Sequence, residues 1–158
     1  MKFFYLSLGV LLLSTLARPV LAATGNLPRG IRNNNPGNIE RTGDQWQGMA
    51  AEQTDSRYVV FTDPKYGFRA MTRILRNYER RGLTTITSII STWAPDFENH
   101  TQAYITFVAK ALNISPDSQV NLTTQLPALL KAISTFENGQ AYANHYSDSV
   151  IQQGIALA

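Results

Sequence analysis

Two carboxylates stand out by their setting in this sequence. Glu137 lies in LLKAISTFENGQAY, where the apolar spacing puts it in the last turn of a helix, just before Asn138-Gly139. The C-terminal end of a helix carries partial negative charge, and burial against Phe136 would add to the cost of a charged carboxylate. Both effects raise the pKa. A carboxylic acid kept neutral near pH 7 is what protonating a bridging glycosidic oxygen requires. The alternative is an exposed Glu in a fraying helix end. Glu52, in MAAEQTD, is the second candidate. It stands before a β-forming run, from which a carboxylate can project into a groove, or else it is a solvated acid at a strand edge. Glu40, Glu79 and Glu98 read as surface acids.

The stretch RGIRNNNPGNIERTGDQWQG, residues 29–48, gathers amides. Asn33, Asn34, Asn35 and Asn38 surround one Pro-Gly pair, residue types that mark turns for separate steric reasons. Amides donate and accept together, which suits the acetamido and hydroxyl groups of a glycan. Equally, Asn34, Asn35 and Asn38 could serve only to satisfy backbone groups. Trp46, Tyr58 and Tyr104 either stack on sugar faces or act as core aromatics. Trp93, on an Ile-rich helix, reads as core.

Other chemistries lack their residues. There is no cysteine. No GxSxG elbow surrounds a serine, and no GxxxxGK[ST] or GxGxxG loop is present. His100 and His145 stand in polar stretches without ligand spacing, so neither a metal nor a cofactor is expected.

The elements that must position these groups are mainly helical. Tyr58–Phe61 are β formers and predict a short strand or hairpin within 49–61. Asp63-Pro64 begins a helix, as N-cap and first helical position, and Arg80-Arg81-Gly82 ends it. Phe68, Met71, Ile74, Leu75 and Tyr78 line its inner face. A second helix opens at Thr84 or Thr85 with Ile86, Ile89, Ile90 and Trp93 inward, and Pro95 ends it. A third begins after NHT with Tyr104, Phe107, Val108 and Leu112. A fourth runs from about Thr123 with Leu126, Leu129, Leu130, Ile133 and Phe136. Ser147 caps a short last helix with Val150, Ile151 and Ile155. The fold class expected is mainly α (α+β), with a small β-hairpin near its beginning.

The chain has 158 residues, enough for one domain. Residues 1–22 read as a signal peptide: Lys2, the apolar run FFYLSLGVLLLSTLA, then Val20-Leu21-Ala22 as the cleavage pattern. That run has only about 15 apolar residues against the roughly 20 of a spanning helix. The expectation is an exported, periplasmic or secreted domain over 23–158 that meets a membrane only through the signal segment. Lys2 and Arg18 leave with the signal. The chain has 14 Lys+Arg and 11 Asp+Glu, so the formal net charge falls from +3 to +1. No basic stripe remains of the kind nucleic acid requires.

The order of motifs resembles a known superfamily over residues 29–158. NNNPGNI, then WQG, FTDPKYGFRA and IL..Y, is similar to the stretch that follows the catalytic helix in lysozyme-fold glucosaminidases and related lytic enzymes. NHTQAYITFVAKAL resembles that superfamily's Thr-x-x-Tyr-x-x-x-Val/Ile helix, whose tyrosine faces the cleft; here that is Tyr104. In those enzymes a Glu-bearing helix precedes the Asn-rich turn. Here LLKAISTFENG matches that helix but comes last. The resemblance implies a permuted lysozyme-like domain, a rearrangement that close, exposed termini tolerate. RGIRNNNPGNI also looks like the opening of a group of phage virion and prophage proteins.

The resemblance implies a peptidoglycan-cleaving glycosidase or lytic transglycosylase, with Glu137 as acid and peptidoglycan glycan strands as partner. Glu52 is the companion carboxylate that we assign from the residues. A monomer is expected. The alternative is a non-catalytic wall-binding or virion module of the same fold.

Overall fold

The computed structural model describes residues 27–95 and 100–158. The expected signal peptide and the surface acid Glu98 lie outside the described residues. Six α-helices dominate: α1 (Arg29–Arg32), α2 (Pro64–Arg80), α3 (Ile86–Trp93), α4 (Thr101–Leu112), α5 (Leu126–Asn138) and α6 (Asp148–Ala156). A 3-10 turn, Gln140–Tyr142, links the last two. The mainly helical class is as the sequence predicts.

The helix ends follow their local chemistry. The Asp63 side chain accepts from the Lys65 N–H at 2.9 Å, and Pro64 occupies the first position of α2. Thr85 and Ser88 form a reciprocal capping box on α3. The Ser147 hydroxyl accepts from Val150 N–H to start α6. Helix α5 begins at Leu126, three residues later than the sequence suggests. Asn121 takes the N–H groups of Thr123 and Thr124 on its side-chain oxygen, and Gln125 reaches back to Asn121 N–H. These local bonds hold 121–125 as a turn in place of the first helical turn. Helix α1 was not foreseen in the turn-rich stretch 24–48.

Helix α5 runs through the middle of the core. Leu129, Leu130 and Ile133 are fully buried on it, among Met71 and Leu75 of α2, Ile90 of α3 and Val108 of α4. Helix α6 closes over α2, and Gly154 sets how near it comes. A Cβ on Gly154 would meet Phe68 Cβ at 2.5 Å and Lys65 O at 2.8 Å. Any side chain there would force the two helices apart.

The predicted β-hairpin is replaced by something looser. Residues 57–62 run extended between two flanking segments that they touch through isolated bridges, Glu40 with Tyr58 and Met49 with Phe61. Odd-numbered residues bond one side: Arg41 N–H donates to Arg57 O, Val59 N–H to Ile39 O, and Phe61 N–H to Asn33 O, each at 2.9 Å. Even-numbered residues bond the other: Ala50 N–H donates to Val60 O and Thr62 N–H to Gly48 O. Where a ladder would continue, side chains take over. The Gln53 amide accepts from Val60 N–H and donates to Val60 O, and Asp55 accepts from Tyr58 N–H. Gln53 takes the Val60 N–H for itself and shares the Val60 carbonyl with Ala50 N–H, so the ladder is not continued past that point.

Candidate active site

The asparagine turn explains itself from this β-like corner outward. Asn34 donates its amide to Phe61 O at 3.0 Å. Asn35 donates to Val59 O and Ile39 O, each at 2.9 Å, and accepts from Ile39 N–H at 2.8 Å. The two amides therefore act as a surrogate strand edge along residues 59–61. Asn35 is wholly buried, which removes it from sugar contact and corrects the expectation that it binds substrate. Asn34 is half-buried, with its amide nitrogen already engaged.

Asn38 has a different task. It adopts the left-handed conformation, φ 47°, which asparagine tolerates better than most residues. Its amide donates to Glu137 Oε2 at 3.0 Å, with the Glu137 carbonyl at 3.4 Å. The end of α5 is pinned beside it, since Asn138 donates to Pro36 O and to Ser134 O, each at 2.9 Å. Gly30 makes this closeness possible. A Cβ there would stand 2.5 Å from Asn138 Oδ1 and 2.8 Å from both Asn35 O and Asn38 Oδ1. Neither of these Oδ1 atoms accepts a conventional hydrogen bond among the described residues. The Gly30 α-hydrogen facing them supplies a weak C–H···O contact instead.

Glu137 is held from three elements. Besides Asn38, Trp93 at the end of α3 donates its indole N–H to Oε1 at 3.2 Å, and Tyr104 of α4 donates its hydroxyl to Oε1 at 2.9 Å. All three donors are neutral. Burial pushes the Glu137 carboxyl above its ordinary value, and the bonds from Asn38, Tyr104 and Trp93 only partly offset this. Oε1 already receives two donors, which fill its in-plane lone pairs, whereas Oε2 receives one. The acidic proton therefore belongs on Oε2. Burial likewise holds the Tyr104 hydroxyl protonated, well above the usual tyrosine range, and the Glu137 carboxylate beside it reinforces this.

Glu137 opens onto a cleft of about 810 Å³. Trp93, Asn38, Gly37 and Pro95 line it near the carboxyl; residues 39–46 with Arg57 and Tyr58 form one flank, and α2 forms the other. Trp46 and Tyr58 both line the cleft, half-buried. The Tyr58 ring already carries the guanidiniums of Arg29 and Arg57, 4.6 Å and 5.2 Å from its centroid. Tyr104 does not offer a face to the cleft. Its ring is fully buried and stacks on Phe136 with centroids 3.8 Å apart, so its part is the hydroxyl bond to Glu137 and not sugar stacking.

Glu52 is exposed and lies outside the cleft lining, so the structure does not bring it to Glu137. The reason is the Gln53 bracket, which fastens residue 53 into the β-like corner and turns its neighbour to solvent. The cleft instead contains Glu40 and Asp44. Glu40 is paired with the Arg57 guanidinium at 2.6 Å, and Asp44 accepts from the Thr42 hydroxyl at 2.6 Å. Trp93 packs against the core, as the sequence suggests, but its indole N–H also reaches Glu137, which sequence reasoning missed. It shares the helical stripe of Ile86, Ile89 and Ile90, so periodicity marks it as core. Only its place at the helix end, before Pro95, hinted that its N–H points elsewhere.

No protein-family model matches the chain. Protein P5 of Pseudoalteromonas phage PM2 is 41% identical over 130 residues, which cover 80% of this chain and 79% of the phage protein. The chain belongs to the Protein P5 family. In this chain the fold sets Glu137 among neutral donors at the edge of a cleft wide enough for a small molecule or a polymer segment.

Proposed function

We propose that the protein is an exported, peptidoglycan-degrading glycosidase with a lysozyme-like fold, and that Glu137 is its general acid. The carrying observation is the Glu137 carboxyl itself: half-buried and desolvated, bonded by three neutral donors, raised in pKa and facing an open cleft. Two contacts support the permuted lysozyme-like reading. Asn38 and Asn138 join the end of α5 to the Asn-rich turn, which restores in space the neighbourhood that the resemblance expects in sequence.

With Glu52 outside the cleft, a lytic route is favoured over a two-carboxylate hydrolysis. Glu137 gives its Oε2 proton to the glycosidic oxygen as the C1–O bond breaks. The C6 hydroxyl of the same sugar then attacks C1 and returns its proton to Glu137, leaving an internal anhydro ring. The oxocarbenium-like charge in between is met by the Glu137 carboxylate. Trp46 supplies a stacking surface for the strand.

The test uses purified peptidoglycan with the wild-type protein and Glu137→Gln, and mass spectrometry of the soluble products. Anhydro-muropeptides from the wild type alone are expected. Products with reducing ends would replace the lytic route by hydrolysis. No release by either protein, with both sedimenting with the wall, would replace the enzyme by a binding module. That second reading draws support from kinship with a phage protein.

A further inference from the structure

Among the described residues, the two flanks of the cleft differ in charge, and no ion pair within the chain neutralises the α2 flank. On the flank formed by residues 39–46, Glu40 is already paired with Arg57. On the α2 flank, Arg73, Asn77 and Arg80 line the cleft and are exposed. Their spacing of four and three residues puts them on one helical face, and seven residues of helix separate the two arginine Cα atoms by about 10 Å along the axis. Among the described residues, no carboxylate comes within ion-pair distance of Arg73 or Arg80. Other arginines of this chain do find internal partners: Arg29 on Asp55, Arg69 on Leu157 O, Arg81 over Tyr78. A guanidinium presents a planar fork of donors that matches a carboxylate. Two such forks stand over an open cleft with an amide between them.

We propose that Arg73, Asn77 and Arg80 form a carboxylate subsite that reads acidic groups hung on the side of a glycan strand. The substrate class is then the acid-bearing strand, not a neutral N-acetylglucosamine polymer. This rests on the cleft being the glycan site. Carboxylates on such strands come from two sources, the stem peptides and, where a peptide is missing, the lactyl ether left bare. Arginine's fork accepts either.

The experiment measures binding separately from cleavage. The full chain carrying Glu137→Gln, with and without the pair Arg73→Gln and Arg80→Gln, is titrated onto insoluble peptidoglycan across a range of salt. A third form carries Arg73→Lys and Arg80→Lys. Thermal melting checks that all are folded, as these exposed positions lead one to expect. Loss of two charge-assisted contacts is expected to weaken binding by about tenfold and to flatten its salt dependence. The lysine form should recover part of this. Capping the wall's carboxyls as neutral amides should reproduce the loss with the arginines intact. On strands stripped of peptide, persistence of the arginine effect assigns the lactyl carboxylate, and its disappearance assigns the stem peptides; both sustain the subsite. Equal affinity of the arginine and glutamine forms, insensitivity to capping, or no binding by any form would overturn it. The two readings fail separately. If the parent protein with Glu137 intact releases no product while binding stays arginine-dependent, the enzyme is lost and the subsite stands. Cleavage with arginine-independent binding loses the subsite and leaves the enzyme.

Discussion

The two ends of the turn 33–38 each offer an amide to a carboxylate. At one end Asn33 donates to Asp55 at 2.8 Å, and at the other Asn38 donates to Glu137 at 3.0 Å. Asp55 also takes the Arg29 guanidinium at 2.6 Å and 2.7 Å and the N–H groups of Arg57 and Tyr58. Glu137 takes only the neutral Trp93 and Tyr104 beside its asparagine. Their acidities part accordingly. The Arg29 bond, with the lesser help of the other donors, drives Asp55 far below the usual carboxylate range despite some desolvation. Burial drives Glu137 upward despite its donors. Asp55 receives five donor bonds, two of them from a cation, whereas Glu137 receives three, all neutral; the cation is what sets the two groups apart. One carboxylate is thereby fixed as an anion that ties a corner together. The other is kept able to hold and release a proton.

The sharpest way to break this comparison is Glu137→Gln. Activity on peptidoglycan should fall by about a thousandfold or more, as for removal of a general acid. Stability should move the other way. A carboxyl whose folded pKa lies above its unfolded one stabilises the fold below the unfolded value, and that contribution is lost as pH rises through the folded value. As pH rises through the folded value, Glu137 therefore comes to oppose folding, and the glutamine form should melt relatively higher. In acid, where Glu137 is protonated, the gain should vanish. Melting curves at pH 4 and pH 7.5 check it. A glutamine form that melts lower at both would mean that the carboxylate is a structural anchor like Asp55.

The next effect belongs to the structural half of the turn. Asn35→Ala leaves two buried backbone groups without partners, Ile39 N–H and Val59 O, while Ile39 O keeps the Val59 N–H. Each such group costs about 1–3 kcal/mol, so a loss of roughly 2 kcal/mol or more is expected in denaturant unfolding. A loss below 1 kcal/mol would show that the amide is not acting as a strand edge.

These residues also show where sequence was legible. The helices could be read because capping pairs such as Asp63-Pro64 and Thr85-Ser88 are local, and apolar spacing reports directly on the buried face. Glu137 was legible for the same reason, as an acid at a helix end beside an aromatic. Asn35 and Asn38 were not separable. They are the same residue three positions apart, and what divides them is a left-handed φ at Asn38 and contacts with Val59 and Glu137, both distant in sequence. The Trp93 bond was missed because periodicity reports the side a residue faces, not the direction of an indole N–H. Glu52 failed because its neighbour Gln53 fastens to Val60 through side-chain bonds that no strand pattern encodes. The charge of the α2 flank was open to a count of arginines, but only the cleft shows which two face it.

Asp55→Asn tests the corner with a smaller effect. The amide keeps the shape but loses the charge that holds Arg29, whose side chain is 42% exposed and so partly screened. A cost of about 1–2 kcal/mol is expected at neutral pH. A depressed pKa gives stability that is present above the unfolded value and lost as pH falls toward the folded one. The wild-type advantage should therefore persist to about pH 4 and shrink below it. An advantage that is the same at pH 2.5 and pH 7 would mean that the Arg29 pair contributes nothing to folding.

Trp93→Phe makes the finest cut, because it removes one neutral donor from Glu137 and leaves an aromatic ring on the cleft floor. Oε1 keeps the Tyr104 hydroxyl, so the carboxyl stays in place. The indole bond lowers the Glu137 pKa, and its removal must raise it. A general acid works while protonated, so activity falls as pH rises through that pKa. The alkaline limb of kcat/KM should move to higher pH in the phenylalanine form, with little change in melting temperature. A purely structural tryptophan would instead lower the melting temperature and scale the whole profile without shifting it. A limb that moved to lower pH would contradict the donor arrangement outright. It would mean that the indole favours the protonated carboxyl, and that the neutral donors around Glu137 do not oppose burial as their geometry requires.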